Sequence, residues 1–302
     1  PMKWIAVGEA HSSCIDTLGN VFCWGAGTYG RTGHGEESDD PVPKQVRSLG
    51  GCPCSESALG TLHSLVLTDQ GKLLAWGCGS ATGLKATGKE DAFRPTPAEL
   101  SVEKLKEGDR FLHITAGYFH SMALTEKKDI FTWGKGSEGR LGHPGMHDAP
   151  QPFRLVLDKE KEEGREQADD TDAQGRENTS PLITGEPLAC GGMHSALLLR
   201  DDLWLWGSND NGQIGNDSDK EDVKEPVKLQ LKEIGMSRIK VGCVALGLEH
   251  SFFVSLPTKS SQTRWLYAWG RNQAGQLGLG KTDDDEHTEP AVVTFIPDVL
   301  AV

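Results

Sequence analysis

The chain has 302 residues, a formal net charge of −13 and 37 glycines, and hydrophobic residues make up only 36% of it. No run of about 18 apolar residues occurs, so no membrane-spanning helix is expected. The acidic charge disfavours direct nucleic-acid binding, because phosphate contacts need clusters of Lys and Arg. Abundant glycine with little helical periodicity favours a turn-rich all-β protein.

The first residues, 1–7, are strand-like and carry no signal peptide, so we expect an intracellular protein, cytoplasmic or nuclear. The seven cysteines are an odd, scattered set, which fits free thiols in a reducing compartment. Cys52 and Cys54 form a close pair, but no second pair accompanies them, and zinc needs four clustered ligands. The sequence therefore predicts no metal and no cofactor.

A repeated unit begins with a short strand and the motif Gly-x-x-His-Ser. Glycine suits a tight turn or a close backbone approach. Adjacent strand residues point to opposite faces, so the His and Ser of one motif cannot meet as base and nucleophile. We expect these side chains to be buried and to satisfy backbone groups of the turns. The five motif histidines are His11, His63, His120, His194 and His250.

The second strand of the unit leads through a polar turn to a third strand that ends in Trp-Gly. A glycine-rich segment comes next, and a strand with proline closes the unit, as in Pro41-Val42-Pro43. The repeat spacing fits four strands of mean length. The tryptophans that we expect to wedge between neighbouring sheets are Trp24, Trp76, Trp133, Trp206 and Trp269.

We predict an all-β fold, a β-propeller of four-stranded antiparallel blades. A lone four-stranded sheet buries too little surface, and radial stacking leaves only short edges. Residues 291–302 are either the start of a sixth unit or a strand that closes the first blade. Residues 158–180 are rich in charge and poor in apolar side chains, so we predict that they form a flexible acidic insertion. It should lie on the face opposite to the Gly-x-x-His turns. The five complete repeats are predicted at about 1–40, 41–94, 95–152, 181–225 and 226–290.

Gly-x-x-His-Ser, Trp-Gly and Gly-Gln-Leu-Gly, repeated in this order, resemble the repeats of the regulator of chromosome condensation family over essentially the whole chain. The resemblance implies a propeller that usually has seven blades, so five repeats imply a smaller ring or part of a longer propeller. It also implies one of two functions. The chain would be either a protein-recognition domain or a guanine-nucleotide exchange factor, which acts on the small GTPase Ran and itself binds chromatin. In that exchange factor, acids two positions before several repeat histidines contribute to the GTPase-facing surface. Here those positions hold Glu9, Thr61, Tyr118, Gly192 and Leu248, so only the first matches.

The segment 275–282, GQLGLGKT, matches the phosphate-binding pattern G-x-x-x-x-G-K-[ST]. A phosphate site also needs a helix directly after the loop. Four acidic residues and then Pro290 follow instead. We interpret the segment as the fifth copy of the glycine-rich loop and not as a nucleotide site.

Acidic residues recur after the glycine-rich segments and in two of the turns. Equivalent loops of a propeller lie on one face, so we predict a broken acidic ring on the face of the Gly-x-x-His turns, suited to attract a basic protein. The alternative is that these are solvated loops without a partner. The predicted partner-binding residues are Glu9, Glu36, Glu37, Asp39, Asp40, Glu90, Asp91, Asp217, Asp219, Asp222, Glu249, Asp283, Asp284 and Asp285.

The sequence therefore predicts a non-enzymatic interaction scaffold that binds a basic protein partner. Guanine-nucleotide exchange on a Ran-type GTPase is the alternative function. No nucleophile, paired-carboxylate site or metal cluster supports a hydrolase, and neither a membrane nor a small-molecule substrate is predicted as a partner.

Overall fold

The computed structural model describes residues 1–85, 93–103, 105–157, 187–199, 202–216, 221–231, 236, 239–257, 262–285 and 287–294. These residues form five four-stranded antiparallel sheets, each built from strands that are consecutive in the chain. The predicted all-β fold with five four-stranded blades is thus confirmed. The predicted insertion at 158–180 lies outside the described residues. Within the described part of the chain, no helix is long and apolar enough to cross a membrane.

The strands of each blade pair in chain order, first with second, second with third and third with fourth. Blade 1 contains β1 Met2–Val7, β2 His11–Asp16, β3 Val21–Gly25 and β4 Asp40–Gln45. Blade 2 contains β5 Cys54–Leu59, β6 His63–Thr68, β7 Leu73–Cys78 and β8 Phe93–Glu99. Blade 3 contains β9 Phe111–Ala116, β10 His120–Thr125, β11 Ile130–Gly134 and β12 Ala149–Leu155. Blade 4 contains β13 Leu188–Cys190, β14 His194–Leu199, β15 Asp202–Gly207 and β16 Val223–Lys228. Blade 5 contains β17 Val241–Leu246, β18 His250–Ser255, β19 Leu266–Gly270 and β20 His287–Val292. Short 3-10 helices at Thr28–Gly30, Arg47–Leu49, Ser80–Thr82 and Ser137–Gly139 lie in the connections.

Each blade has two ends that differ in their turns. His11 at the start of β2 pairs with Gly25 at the end of β3. The Gly-x-x-His turn before β2 and the glycine-rich loop after β3 therefore lie at the same end, which we call the turn end. The opposite end carries the turn between the second and third strands, and we call it the hairpin end. The same His–Gly pairing recurs as His63–Gly77, His120–Gly134, His194–Gly207 and His250–Gly270.

The apolar core is divided into layers, and each layer lies between two neighbouring blades. Between blades 1 and 2, for example, Ile15 and Val21 pack with Val66 and Trp76. Equivalent layers join blades 2 and 3, 3 and 4, and 4 and 5, and each contains the tryptophan of the later blade. The first strands of successive blades contact one another, which places them at the centre of the arc. The prediction that the tryptophans wedge between blades holds for these four.

Blade 1 is different, because no described blade precedes it. Trp24 is partly exposed, whereas the other four motif tryptophans have no exposed surface. The first strand also exposes apolar side chains, with 77% of Ile5 and 76% of Val7 accessible. The described blades therefore form an arc with a free face at blade 1.

The blades begin and end later than the predicted repeats. Each proline-bearing fourth strand pairs with the Trp-Gly strand before it, so β4 belongs to blade 1 and not to the second repeat. Ala291 and Val292 likewise belong to β20 of blade 5. Blade 1 takes all four of its described strands from residues 2–45, and residues 295–302 lie outside the described residues. The segment 275–285 is loop without a helix, as expected for a repeat element.

Candidate functional site

The five Gly-x-x-His turns pack against one another at the centre of the turn face, which is the surface formed by all five turn ends. A Cβ atom on Gly60 would lie 2.6 Å from the Gly117 carbonyl oxygen, and one on Gly117 would lie 2.5 Å from that of Gly191. No side chain fits at such distances from a neighbouring backbone. Glycine is thus required at this position by the close approach of the next blade.

Each junction between two described blades contains the same four groups. At the first junction, His11 Nε2 lies 2.8 Å from Ser64 Oγ of the next blade. Ser64 Oγ donates to the Arg31 carbonyl oxygen at 2.7 Å, and Trp76 Nε1 donates to that same oxygen at 2.8 Å. One loop carbonyl in each of blades 1 to 4 therefore accepts two hydrogen bonds from the blade that follows. The other junctions are His63–Ser121–Trp133 on the Ala81 carbonyl, His120–Ser195–Trp206 on that of Arg140, and His194–Ser251–Trp269 on that of Gln213.

The hydrogen-bond network sets the protonation of the junction histidines, which are His11, His63, His120 and His194. The serine hydroxyl gives its one hydrogen to a carbonyl, so it accepts from the histidine, whose Nε2 must carry the hydrogen. Burial lowers the pKa of His11 and His194 to about 3 and that of His63 to about 4, and it places the pKa of His120 well below the usual value. These rings are therefore neutral near pH 7.

The His and Ser of one motif do not meet, as the alternation of strand side chains predicts. Each junction histidine instead bonds the serine of the next blade, a pairing that the sequence interpretation missed. The serines at these junctions have no exposed surface and donate to backbone carbonyls, so they are neither accessible nor activated as nucleophiles. The network holds blades together.

The junction groups at the two ends of the arc have no described partner. Ser12 of blade 1 and His250 of blade 5 are both partly exposed, whereas their counterparts in the junctions are buried. No hydrogen bond joins His250 to a side chain within the described residues. Blade 5 thus does not close onto blade 1 through this junction.

Acidic residues that follow the glycine-rich loops, among them the predicted partner-binding residues Asp39 and Asp283, form hydrogen bonds within those loops. Asp39 accepts from the Gly27 N–H at 2.9 Å, and Asp148 accepts from the Gly136 N–H at 3.0 Å in the same position of blade 3. Asp283 accepts from Asn272 Nδ2 at 2.9 Å in blade 5. The Lys281 ammonium, with these hydrogen bonds, holds the pKa of the Asp283 carboxyl well below its usual range.

The predicted acids differ in how available they are to a partner. Asp40 is buried and pairs with Lys44 at 3.2 Å, so it is not part of an open acidic surface. Glu249 is partly buried and pairs with Arg271, and Asp222 and Asp283 are also only partly exposed. The exposed members are Glu9, Glu36, Glu37, Asp39, Asp284 and Asp285. Glu90, Asp91, Asp217 and Asp219 lie outside the described residues.

The two ends of the blades carry different charge patterns. At the turn end, Glu9, Glu37 and Asp284 form no ion pair with any residue that the structure describes. At the hairpin end, acids and bases are interspersed and paired. The hairpin-end pairs are Lys3–Asp69, Lys72–Glu99, Lys106–Asp129, Arg110–Glu126, Arg154–Asp129 and Lys228–Asp202.

All seven cysteines are free thiols. Burial raises the pKa of the Cys54 and Cys190 thiols to about 12, so neither is a reactive thiolate. Among the described residues, no group of three or more His, Cys, Asp and Glu side chains is arranged to hold a metal ion.

Comparison with known proteins gives the same repeat signature. A sequence profile of the regulator of chromosome condensation (RCC1) repeat matches residues 19–67, 200–254 and 266–302, and a second profile of that repeat matches residues 111–140. The ultraviolet-B receptor UVR8 of Arabidopsis thaliana is 28% identical over 300 residues, which cover 99% of this chain and 59% of UVR8. The human E3 ubiquitin-protein ligase HERC2 is 31% identical over 286 residues, which cover 93% of this chain and 5% of HERC2.

Solved structures show a similar fold. Prp20p from Saccharomyces cerevisiae superposes with a TM-score of 0.73 at 21% identity, covering 96% of this chain and 62% of that one. Human WBSCR16 superposes with a TM-score of 0.56 at 19% identity, covering 97% of this chain and 82% of that one. The chain thus spans less than two thirds of UVR8, HERC2 and Prp20p.

Proposed function

Because the chain belongs to the family of regulator of chromosome condensation repeat propellers, we propose that it is a non-enzymatic interaction module that binds a basic protein through its turn face. A fold of this kind hosts several functions, so the argument rests on the surface itself. The observation that carries the proposal is the difference in charge between the two blade ends. At the turn end Glu9, Glu37 and Asp284 are exposed and form no ion pair with a described residue, while Glu36 and Asp285 pair with Lys44 and Lys281. The exposed acids of the hairpin end are largely paired with basic neighbours.

Such a surface speeds the encounter with a basic partner and suppresses association with acidic ones. Its effect weakens as salt is added, because exposed charges are screened beyond about 8 Å at physiological ionic strength. Prp20p binds Gsp1p and histones. Histones are basic proteins, so they are a rational first probe for this chain.

The test is binding of purified core histones, measured by fluorescence anisotropy at low and physiological salt. The turn-face variant carries Glu9→Gln, Glu36→Gln, Glu37→Gln, Asp284→Asn and Asp285→Asn. The matched hairpin-end variant changes the net charge by the same amount through Asp69→Asn, Glu99→Gln, Glu107→Gln, Glu126→Gln and Asp202→Asn.

We expect the turn-face variant to bind about tenfold more weakly at low salt and to show a shallower salt dependence. The hairpin-end variant should bind like the parent protein. Equal losses in both variants would contradict the proposal, because they would reflect total charge and not one face.

Guanine-nucleotide exchange on a Ran-type GTPase is the second candidate, and the binding of Prp20p to Gsp1p motivates it. Glu9 is exposed on the turn face, as that function requires, but the four equivalent positions are not acidic. Release of fluorescent GDP from Ran separates the two functions. The scaffold proposal expects no acceleration, whereas acceleration that Glu9→Gln abolishes would favour the exchange factor.

A further inference from the structure

The two residues between glycine and histidine differ sharply from blade to blade. Blades 1 and 2 place Glu9-Ala10 and Thr61-Leu62 there. Blades 3, 4 and 5 instead expose Phe119 by 38%, Met193 by 38% and Leu248 by 43%. A single exposed apolar residue needs no explanation, but three in equivalent turns of consecutive blades do.

These three side chains come from turns that touch. The Gly192 N–H, next to Met193, donates to the Leu248 carbonyl oxygen at 3.2 Å. A Cβ atom on Gly192 would lie 2.4 Å from Leu248 Cδ1, so that leucine lies over the turn of blade 4. The turn of blade 3 adjoins it in the same way, because a Cβ on Gly117 would meet the Gly191 carbonyl. We call Phe119, Met193 and Leu248 the apolar turn patch.

Basic residues next to the patch are already neutralised within the chain. Lys135 follows the strand end beside Phe119 and pairs with Asp148 at 2.7 Å. Arg271 donates its backbone N–H to the carbonyl of Glu249 and pairs with the carboxylate of that residue. The cations beside the patch therefore do not repel a basic partner.

Asp148 and Glu249 are used in these pairs, but the loop beside Met193 carries an acid that forms no ion pair with a described residue. The Met193 carbonyl accepts from the Ser208 N–H at 2.9 Å, and the loop that starts there carries the exposed Asp210. Asp222 lies before β16, where it is only partly exposed and accepts a hydrogen bond from the Asn209 N–H. Burial and then the neighbouring Asp210 raise the pKa of the Asp222 carboxyl. Neither carboxylate forms an ion pair with a residue that the structure describes. The patch thus combines apolar surface with unpaired negative charge.

We propose that the apolar turn patch is the anchor site for the basic partner, and that it takes one bulky apolar side chain flanked by Lys or Arg. The proposal rests on the proposed function and names the feature that its partner must have. Protein interfaces concentrate binding energy in a small desolvated apolar centre with a polar rim. The unbranched Met193 side chain adapts to different apolar groups, and the exposed carboxylate of Asp210 matches the flanking cations.

The test uses fluorescein-labelled peptides of sequence Gly-Lys-Arg-X-Arg-Lys-Gly, in which X is Leu, Phe, Ser or Gly. Anisotropy gives the affinity of each peptide for the full chain at low salt. We expect the Leu and Phe peptides to bind about tenfold more tightly than the Ser and Gly peptides, although all four carry the same charge.

The patch variant is Phe119→Ser, Met193→Ser, Leu248→Ser, and the control is Leu18→Ser, which changes a 77% exposed leucine at the hairpin end. The patch variant should bind all four peptides at the level of the Ser peptide, and the control should retain the preference. Thermal unfolding of each variant checks that the fold is intact.

Two results would overturn the inference and leave the acidic turn face standing. One is salt-dependent binding with equal affinity for all four peptides, and the other is an apolar preference that the patch variant keeps. If neither the peptides nor core histones bind at low salt, the proposed function fails and the inference fails with it.

Discussion

The two ends of each blade use their polar residues differently. The turn end buries a His–Ser–Trp–carbonyl network between blades and projects unpaired acids and apolar side chains outward. The hairpin end has an apolar interior and a surface of paired charges, such as Arg110 with Glu126. The same short motif therefore holds the blades together through its Gly, His and Ser, and in most blades it exposes at least one of its two variable residues on the turn face.

Acidification should produce the largest effect, and it acts on the turn end. The pKa of each junction histidine is lower in the folded chain, so the unfolded chain takes up protons first as the pH falls below about 6.5. The stabilisation is complete above that pH and is lost as the pH approaches the folded values, about 3 to 4. Four histidines at about 1.4 kcal/mol per pH unit give a loss of about 5 kcal/mol between pH 7.5 and 5.5.

Urea unfolding at these two pH values measures this loss. His194→Gln should lower by about one the number of protons that the chain takes up on unfolding, because it deletes one junction histidine. The unfolding free energy of this variant should therefore depend less steeply on pH. Burial also lowers the pKa of His143 and His250, so a residual dependence remains. A free energy of unfolding that stays constant between pH 7.5 and 5.5 would show that the junction histidines are not buried as neutral rings.

Removing a junction tryptophan should be nearly as costly. Trp206 is fully buried and its Nε1 donates to the Arg140 carbonyl, so Trp206→Ala should cost about 3–5 kcal/mol of unfolding free energy. The matched change is Trp24→Ala in blade 1, where the side chain is partly exposed and no described blade precedes it. We expect that variant to lose less than about 2 kcal/mol. Equal losses would mean that blade 1 is packed like the others.

Deleting one junction hydroxyl should have the smallest effect of the three. Ser121→Ala leaves the His63 Nε2 hydrogen buried without its acceptor, which costs about 1–3 kcal/mol. Ser12→Ala removes a hydroxyl that bonds no histidine among the residues that the structure describes, so its effect should stay within about 0.5 kcal/mol. Chemical denaturation gives the unfolding free energy of both variants. A loss for Ser12→Ala as large as that for Ser121→Ala would contradict the finding that Ser12 has no described histidine partner.

The repeated pattern predicted the strand order, the two kinds of turn and the common face of the glycine-rich loops. This succeeded because Gly-x-x-His and Trp-Gly mark strand ends locally. The pairing of His11 with Ser64 could not be read in the same way, because it depends on how one blade sits on the next. The recurrence of both residues at constant register was the available signal.

The acidic residues were harder to interpret from the sequence. The density of acidic residues in the sequence could not separate a carboxylate that caps a loop from one that faces solvent. Asp39 and Asp148 each lie twelve residues after the glycine whose N–H they accept from. That shared spacing was visible in the sequence. The burial of Asp40 was not, because it depends on the fold around β4.

The most direct test of the proposed function is amide hydrogen exchange of the full chain with and without core histones. We predict that the partner slows exchange at the Gly-x-x-His turns and glycine-rich loops, with the strongest protection around Phe119, Met193 and Leu248. The hairpin turns, such as that at Asp69–Gly71, should exchange at unchanged rates. Protection confined to the hairpin turns would place the partner on the opposite face and contradict the proposal.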